Sequence, residues 1–340
     1  VTSSGRIDVS ILIVSFNTRE LTLEAISSAV RETKDVSYEI IVVDNNSSDG
    51  SQEAIASHPA TPKLFALADN IGFGRGNNLA AEHASGEYIL LLNPDTIVKD
   101  RAIDRLVAFA RANKHALIWG GRTVFSDGSL NPASCWQRIT LHNLVMRAMG
   151  LAGVFPNSPW FNPEAYGGWK RDSVREVDIV SGCFLLMPRT VWMALGGLDP
   201  RFFMYGEEAD LCLRARRIGA RPLITPEATI VHLGGASEKT RSGKMVKLLA
   251  AKATLIEQHW PRFTVPAGQF LLSMWPLSRW IACSARALID NSDANREAAG
   301  VWRTIWNARA DWRRGYPKAG SAAGPTAPVS LLAASARSLP

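Results

Sequence analysis

Three short runs constrain the fold more than anything else in the chain. Residues 9–14 (Val-Ser-Ile-Leu-Ile-Val), 38–43 (Tyr-Glu-Ile-Ile-Val-Val) and 88–92 (Tyr-Ile-Leu-Leu-Leu) are almost wholly apolar and rich in β-branched side chains. Runs of this length without polar alternation read as strands buried on both faces, as in a parallel sheet covered by helices. The first is followed by the turn Ser15-Phe16-Asn17-Thr18, with Thr18 placed to N-cap a helix beginning near Arg19. Leu21, Leu23, Ile26, Ala29 and Val30 give that helix its inner face. The second run ends in the polar loop 44–50 and a further helix. A weaker strand spans 63–68, followed by the glycine- and asparagine-rich stretch 70–78 and a helix over 79–84. Four such alternations predict an α/β fold with an open, mostly parallel, doubly wound sheet. Ligands of such sheets bind beyond the carboxyl ends of the strands, where Asp44, Asn70 and Asp95 fall.

The alternation stops near residue 131. Residues 131–175 mix Pro132, Pro156, Pro159 and Pro163 with Trp136, Trp160 and Trp169, and read as an insertion that shapes a pocket rather than a separate domain. Strand character returns over 176–187, a helix over 190–195 is stopped by Gly196-Gly197, and a short strand over 228–232 ends in His232. The division expected is a catalytic domain over 1–240, a helical extension over 241–315 and a disordered tail over 316–340, rich in Ala, Ser, Pro and Gly. Residues 266–289 are apolar with cationic interruptions at Arg279 and Arg286, too interrupted for a membrane span. Two readings stand for them: an amphipathic helix in peripheral contact with a membrane, or a helix packed on the catalytic domain.

Composition narrows the partners. The 340 residues, 46% of them hydrophobic, are enough to bury a sizeable core. A net charge of +7 suits a phosphorylated substrate or an anionic lipid; with no block of consecutive Lys and Arg, it does not point to nucleic acid. Cys135, Cys183, Cys212 and Cys283 are far apart and lack CxxC spacing. They read as small core residues in a reducing compartment, not as a zinc site or a disulfide frame. The run at 9–14 is too short for the apolar region of a signal peptide, so a cytoplasmic location is expected, extending to the inner face of the plasma membrane.

Carboxylates gather at Glu207, Glu208 and Asp210, where a loop containing Tyr205 and Gly206 enters a helix. Neighbouring acids repel, and one of them can keep its proton to higher pH than usual, as a general base near neutrality requires. The simpler role is complementing the helix dipole. Asp95, in Asn93-Pro94-Asp95 beyond a buried strand, is costly unless satisfied. A divalent cation, Mg2+ or Mn2+, bridging two phosphates satisfies it; the alternative is a helix cap. His232 is a further metal-ligand candidate or a structural histidine. Asp44 suits a hydrogen bond to a nucleobase or ribose, or a turn. Gly72, Gly74 and Gly76 do not make a dinucleotide fingerprint, because the first turn has no glycine; they let backbone approach a ligand closely.

Six segments in this order resemble glycosyltransferase family 2, and within it the bacterial rhamnosyltransferase-like branch. They are Ile-Val-Ser-Phe-Asn-Thr (13–18), Val-Val-Asp-Asn-Asn-Ser-Ser-Asp-Gly (42–50), Asn-Ile-Gly-Phe-Gly-Arg-Gly-Asn-Asn (70–78), Leu-Leu-Asn-Pro-Asp-Thr (91–96), Gly-Cys-Phe-Leu-Leu-Met-Pro-Arg (182–189) and Phe-Met-Tyr-Gly-Glu-Glu-Ala-Asp-Leu (203–211). The resemblance covers roughly residues 8–235 and implies a GT-A fold, a Rossmann-like open sheet flanked by helices, here with a helical C-terminal extension. It also implies inverting, metal-assisted transfer from a nucleotide-diphosphate sugar, dTDP-rhamnose being plausible in this branch, to a glycan or lipid-linked hydroxyl in bacterial polysaccharide synthesis. By resemblance Asp44 holds the nucleobase, and Ser15 and Asn17 line the nucleotide pocket with Asn70 and Arg75 beside it. Asn93 and Gly182 belong to the same donor-binding set. Asp95 is the metal ligand, with Asn93 in place of the usual first acid, and His232 completes the site. The family's base is usually an Asp; Glu208 stands in its place, with Glu207 as second candidate and Asp210 orienting the site. The longer arm moves the carboxylate by about one methylene. Two other readings are a non-catalytic sugar-nucleotide or glycan-binding module, which this departure keeps open, and a nucleotide-dependent oxidoreductase, which the glycine-free first turn opposes.

Overall fold

The computed structural model describes residues 6–234 and 240–317, and the backbone of 330–332. β1 (Val9–Ser15), β2 (Tyr38–Asp44), β3 (Lys63–Ala66) and β4 (Tyr88–Leu92) form a parallel array in the order 3-2-1-4. Leu12, Val14, Ile41 and Val43 enter the core on one face of this array, and Ile11, Ile13, Ile40 and Val42 the core on the other. The strands lack polar alternation because both faces are covered. α1 (Arg19–Glu32) and α2 (Ser51–Ala56) lie on the Ile11 face, and α3 (Phe73–Glu82) on the Leu12 face.

The chain then supplies β5 (Thr96–Val98), α4 (Ala102–Ala112), β6 (Trp119–Val124), β7 (Cys135–Trp136), α5 (Leu141–Ala148), α6 (Leu151–Val154), β8 (Arg175–Glu176), β9 (Ile179–Val180), β10 (Phe184–Pro188), α7 (Arg189–Leu195), α8 (Glu207–Arg217) and β11 (Leu223–His232). With β12 (Ser330–Leu332) at one edge, the main sheet runs 12-3-2-1-4-10-6-11-5, and β8 pairs with the start of β11. β10 is antiparallel to both β4 and β6, and β12 to β3, so the sheet is parallel over β3-β2-β1-β4 and mixed outside it. β7 and β9 form a separate two-stranded ribbon.

The structure departs from the sequence reading in several places. The strand expected over 176–187 is three pieces, because Ser181-Gly182-Cys183 bends between β9 and β10. α3 begins at Phe73, so Gly74 and Gly76 are helical and only Asn70–Gly72 is loop. Thr18 does not cap α1 through its hydroxyl, which bonds Thr22 at 3.1 Å; the Arg19 N–H is taken instead by Asp49 Oδ2 at 2.9 Å.

α9 (Arg241–His259), α10 (Val265–Ile289), α11 (Asp293–Asn307) and α12 (Arg309–Trp312) form the extension. Leu249, Ile256, Leu272, Trp275, Ile305 and Trp312 share a third core with Leu144 of α5, so the extension and the insertion pack as one unit. Among the described residues no helix is long and apolar enough to cross a membrane. Of the expected disordered tail, 318–329 and 333–340 lie outside the described residues. Tyr316 is anchored: its N–H donates to Thr254 Oγ1 at 2.8 Å, its hydroxyl donates to the Met204 carbonyl, and its ring meets Phe202 edge-on at 5.7 Å.

Candidate active site

Three groups of side chains meet beyond the carboxyl ends of β1, β2 and β4. The first surrounds Asp44, the last residue of β2 and fully buried. Its Oδ2 accepts from the Ser47 N–H and from Gln52 Nε2, both at 2.9 Å, while Oδ1 is buried and meets no protein donor. Asn17, at φ 52°, ties this loop to the turn after β1: its N–H donates to Ser47 Oγ and its Oδ1 accepts from the Ser48 N–H, each at 2.8 Å. Ser15 is fully buried with its hydroxyl among those of Thr18 and Thr22, so its part here is through backbone, its carbonyl accepting from the Asn45 N–H at 2.8 Å. Asn70 Oδ1 accepts from the Gly72 N–H at 2.9 Å and shapes the entry to α3. Asn45, to which the sequence reading gave no role, reaches the Gly72 carbonyl through Nδ2 at 3.2 Å and leaves its Oδ1 buried and unpartnered. Arg75 is exposed, its Nε donating to the Pro200 carbonyl at 3.2 Å.

The second group is Asn93, Asp95 and His232. The β5–β11 pairing sets His232 opposite Thr96, beside Asp95. Asp95 Oδ1 lies 3.4 Å from His232 Nε2, and both residues are buried. Burial opposes a charge on His232, but Cys183 and Asp95 beside it outweigh burial and raise its pKa to about 10. Asn93 Oδ1 and His232 Nδ1 are buried without partners. An acid, an amide carbonyl and an imidazole match the donors that Mg2+ or Mn2+ accept. Among the described residues no three His, Cys, Asp or Glu side chains gather.

The third group is at the N-terminus of α8. Glu207 is 4% exposed, and its Oε2 has no partner. Burial, and then the adjacent Glu208, hold its pKa well above the ordinary carboxylate value. Glu208 is half-buried, its Oε2 also lacks a partner, and burial raises its pKa as well. A methyl group on Gly182 would lie 3.4 Å from the Phe73 ring and 3.7 Å from Glu208 Cβ; one on Gly74 would lie 3.7 Å from Glu207 Cβ. Glu207 thus sits against α3, and Glu208 against the bend before β10. Asp210 is occupied elsewhere: Arg214 Nε at 2.7 Å and His259 Nε2 at 2.8 Å hold its carboxylate, which ties α8 to α9.

Backbone joins the groups. The Asn93 N–H donates to the Cys183 carbonyl at 3.2 Å, linking the second and third, and the Phe73 N–H donates to the Phe203 carbonyl at 3.1 Å, linking the first and third. Gly72, at φ +88°, passes so close to Phe203 that any side chain would overlap its carbonyl. A cavity of about 610 Å³ lies elsewhere, between Arg138, Arg217 and Trp260; it is lined by His259 but by none of the candidate donor-binding, metal or base residues.

Tyr316 is a positioning residue that no local pattern announces. Tyr316→Phe removes the bond to Met204, two residues before Gly206. We expect kcat to fall about fivefold, the equivalent of one hydrogen bond near 1 kcal/mol, with nucleotide Kd unchanged. Titration calorimetry beside initial rates separates the two.

This sheet order, with its sites at the strand ends, is a GT-A architecture. The mannosyltransferase PcManGT from Pyrobaculum calidifontis, solved with GDP-Man and Mn2+, shares the fold: TM-score 0.53 and 16% identity, over 90% of this chain and 87% of that one. The family model described as glycosyl transferase family 2 matches residues 10–186, and the chain belongs to that family. Among curated relatives, the O-antigen biosynthesis protein RfbC of Myxococcus xanthus is 28% identical over 69% of this chain, which spans 18% of that protein. The N-acetylglucosaminyl-diphospho-decaprenol L-rhamnosyltransferase of Mycobacterium tuberculosis is 29% identical over 57% of this chain and 66% of its own length. The rhamnosyltransferase WbbL of Escherichia coli is 29% identical over 58% of this chain and 74% of its own.

Proposed function

We propose that the protein is an inverting glycosyltransferase that moves a sugar from a nucleotide diphosphate to a hydroxyl of a lipid-linked acceptor in bacterial polysaccharide synthesis. The observation that carries this reading is the set of buried, unpartnered polar atoms: Asp44 Oδ1, Asn45 Oδ1, Asn93 Oδ1, Glu207 Oε2, Glu208 Oε2 and His232 Nδ1. Such atoms are costly unless a ligand completes them. Their order, from nucleobase acceptor through metal donors to base, matches the parts of a nucleotide sugar. Rhamnose as the sugar is supported by the names of the mycobacterial and Escherichia coli relatives, and the lipid-linked acceptor by the mycobacterial name alone; dTDP as the carrier rests on the motif resemblance. Such an acceptor places the enzyme in the cytoplasm at the inner face of the membrane, with residues 131–175 on the acceptor side.

In the reaction, the acceptor hydroxyl oxygen attacks the anomeric carbon from the face opposite the diphosphate. The bond from that carbon to the diphosphate oxygen breaks, and the hydroxyl proton passes to Glu208. One displacement inverts the centre. Asp95 and His232 would hold the divalent cation, with Asn93 beside them; such an ion would supply neutralisation of charge on the departing diphosphate. Glu207, its proton retained by burial, keeps a second negative charge away from Glu208.

A thermal-shift series with dTDP, UDP and GDP, each with and without Mn2+, tests this. One nucleotide is expected to stabilise only with metal, by about 2.7 kcal/mol at a hundredfold excess over Kd. Asp95→Ala is expected to erase the metal dependence. Stabilisation by NAD alone would return the oxidoreductase reading.

A further inference from the structure

The sequence left α10 as either a membrane-surface helix or a packed one, and the structure gives it both faces. Gly268, Leu272, Trp275 and Pro276 are buried, with Leu272 and Trp275 in the third core. The opposite face is apolar and largely open to solvent, with Met274 and Leu277 half-buried at its middle. At 100° per residue, Phe270, Met274, Leu277, Ile281, Ala285 and Leu288 fall within a stripe about 80° wide and about 27 Å long. No polar side chain of the helix falls inside it. Phe270 is 60% exposed, Ile281 59% and Leu288 88%. Beside the helix, Arg279 Nη2 donates to the Gly150 carbonyl at 3.4 Å, at the corner between α5 and α6. Met149 and Val154, also exposed, flank that corner.

Charge is segregated along the chain in the same sense. Residues 1–240 carry 24 Lys and Arg against 26 Asp and Glu, a net −2. Residues 241–340 carry 14 against 5, a net +9. Arg262, Arg286, Arg303, Arg313 and Arg314 of the extension are exposed.

We propose that the outward face of α10 is a docking surface for an anionic bilayer, on which the helix lies flat with its stripe in the acyl boundary and the extension's cations at the headgroups. A continuous apolar stripe on a helix that belongs to a strongly cationic extension is what an interfacial helix on an anionic surface requires; Arg279 and Arg286 lie on the other side of the helix from the stripe. Burial of its other face in the third core keeps it in the membrane plane. A second copy of the chain fits worse, since pairing through α10 sets two extensions of net +7 (residues 241–315) against each other, whereas anionic lipid attracts both. The inference stands on α10 and the charge distribution, independently of the transfer chemistry.

Co-sedimentation of the full chain with vesicles tests it, comparing phosphatidylcholine alone with phosphatidylcholine containing 30% phosphatidylglycerol at about 0.1 M salt. Partition into the anionic vesicles is expected, weakening as salt rises. Ile281→Glu with Leu288→Glu is expected to weaken partition at least tenfold. Both side chains already face water, so the melting temperature of the variant should be unchanged, as should its nucleotide response, which keeps this test separate from that of the transfer reading. Three results would overturn the proposal: no partition by the parent protein, equal partition by the variant, or a dimer in light scattering that the same substitutions dissolve.

Discussion

Glu208→Gln is expected to lower kcat by about 10²–10⁴, the range removed with a general base, and to leave nucleotide binding in place. Glu207→Gln is expected to do far less. Glu207 is enclosed against α3, and burial with Glu208 beside it keeps its proton to high pH; an amide resembles a protonated acid in shape and polarity. Glu208 is the more open of the two, faces the bend at Gly182 and must lose its proton to act. Because burial raises its pKa, kcat should rise with pH through a midpoint above the ordinary carboxylate range. Glu208→Asp should keep a pH-dependent rate at lower amplitude, the carboxylate being withdrawn by about one methylene. Equal losses from the two Gln substitutions would remove the assignment of Glu208 as base. The measurement is the pH dependence of transfer by all four proteins.

The second large effect is on stability. Glu164 of the insertion is buried between Arg147 of α5 and Lys252 of α9. Arg147 Nε is 2.6 Å from its Oε2, Lys252 Nζ bonds its Oε1, and the Arg147 guanidinium lies over the Trp275 ring at 4.9 Å. Glu164→Gln leaves two cations without their counter-charge, and breaking a buried ion pair in this way costs about 3–5 kcal/mol. Burial alone would raise the pKa of Glu164, but Arg147 and Lys252 bring it down to about 2, from 4.5. A depressed carboxylate stabilises the fold above its unfolded pKa. The contribution is therefore complete above about pH 4.5 and is lost as pH falls towards 2. The parent protein should lose stability across that window, and Glu164→Gln should lack that component. Denaturant midpoints at pH 7, 4 and 3 read both effects.

What the sequence made legible follows from the range of each interaction. The placement of Asp44, Asp95 and Glu208 at element ends was readable because each follows a local pattern, a buried strand or a glycine turn. β6 was not foreseen, since Gly120-Gly121 dilutes its apolar run; both lie so close to neighbouring residues that a side chain would clash. The start of α3 was missed because Gly74 and Gly76 lower helix propensity, while their packing on Phe202, Leu198 and Val14 is invisible locally. The inward turn of the Ser15 hydroxyl, the capping of α1 by Asp49 and the enclosure of Glu164 depend on partners that local patterning does not place. α10 was half-legible: its composition announced an apolar helix, but which face is covered depends on α5, α9 and α11.

The double anchorage of the loop before α8 has a consequence for the order in which the protein matures. Phe203 is held by Phe73, which a growing chain makes early, but Met204 is held by Tyr316, more than a hundred residues later. The first four strands and the loop around Asp44 need nothing from the C-terminal helices. On the proposed reading, a nascent chain would make the strands and loop around Asp44 well before the loop that carries Glu208 is fixed, which needs α12 and Tyr316 to close on α9.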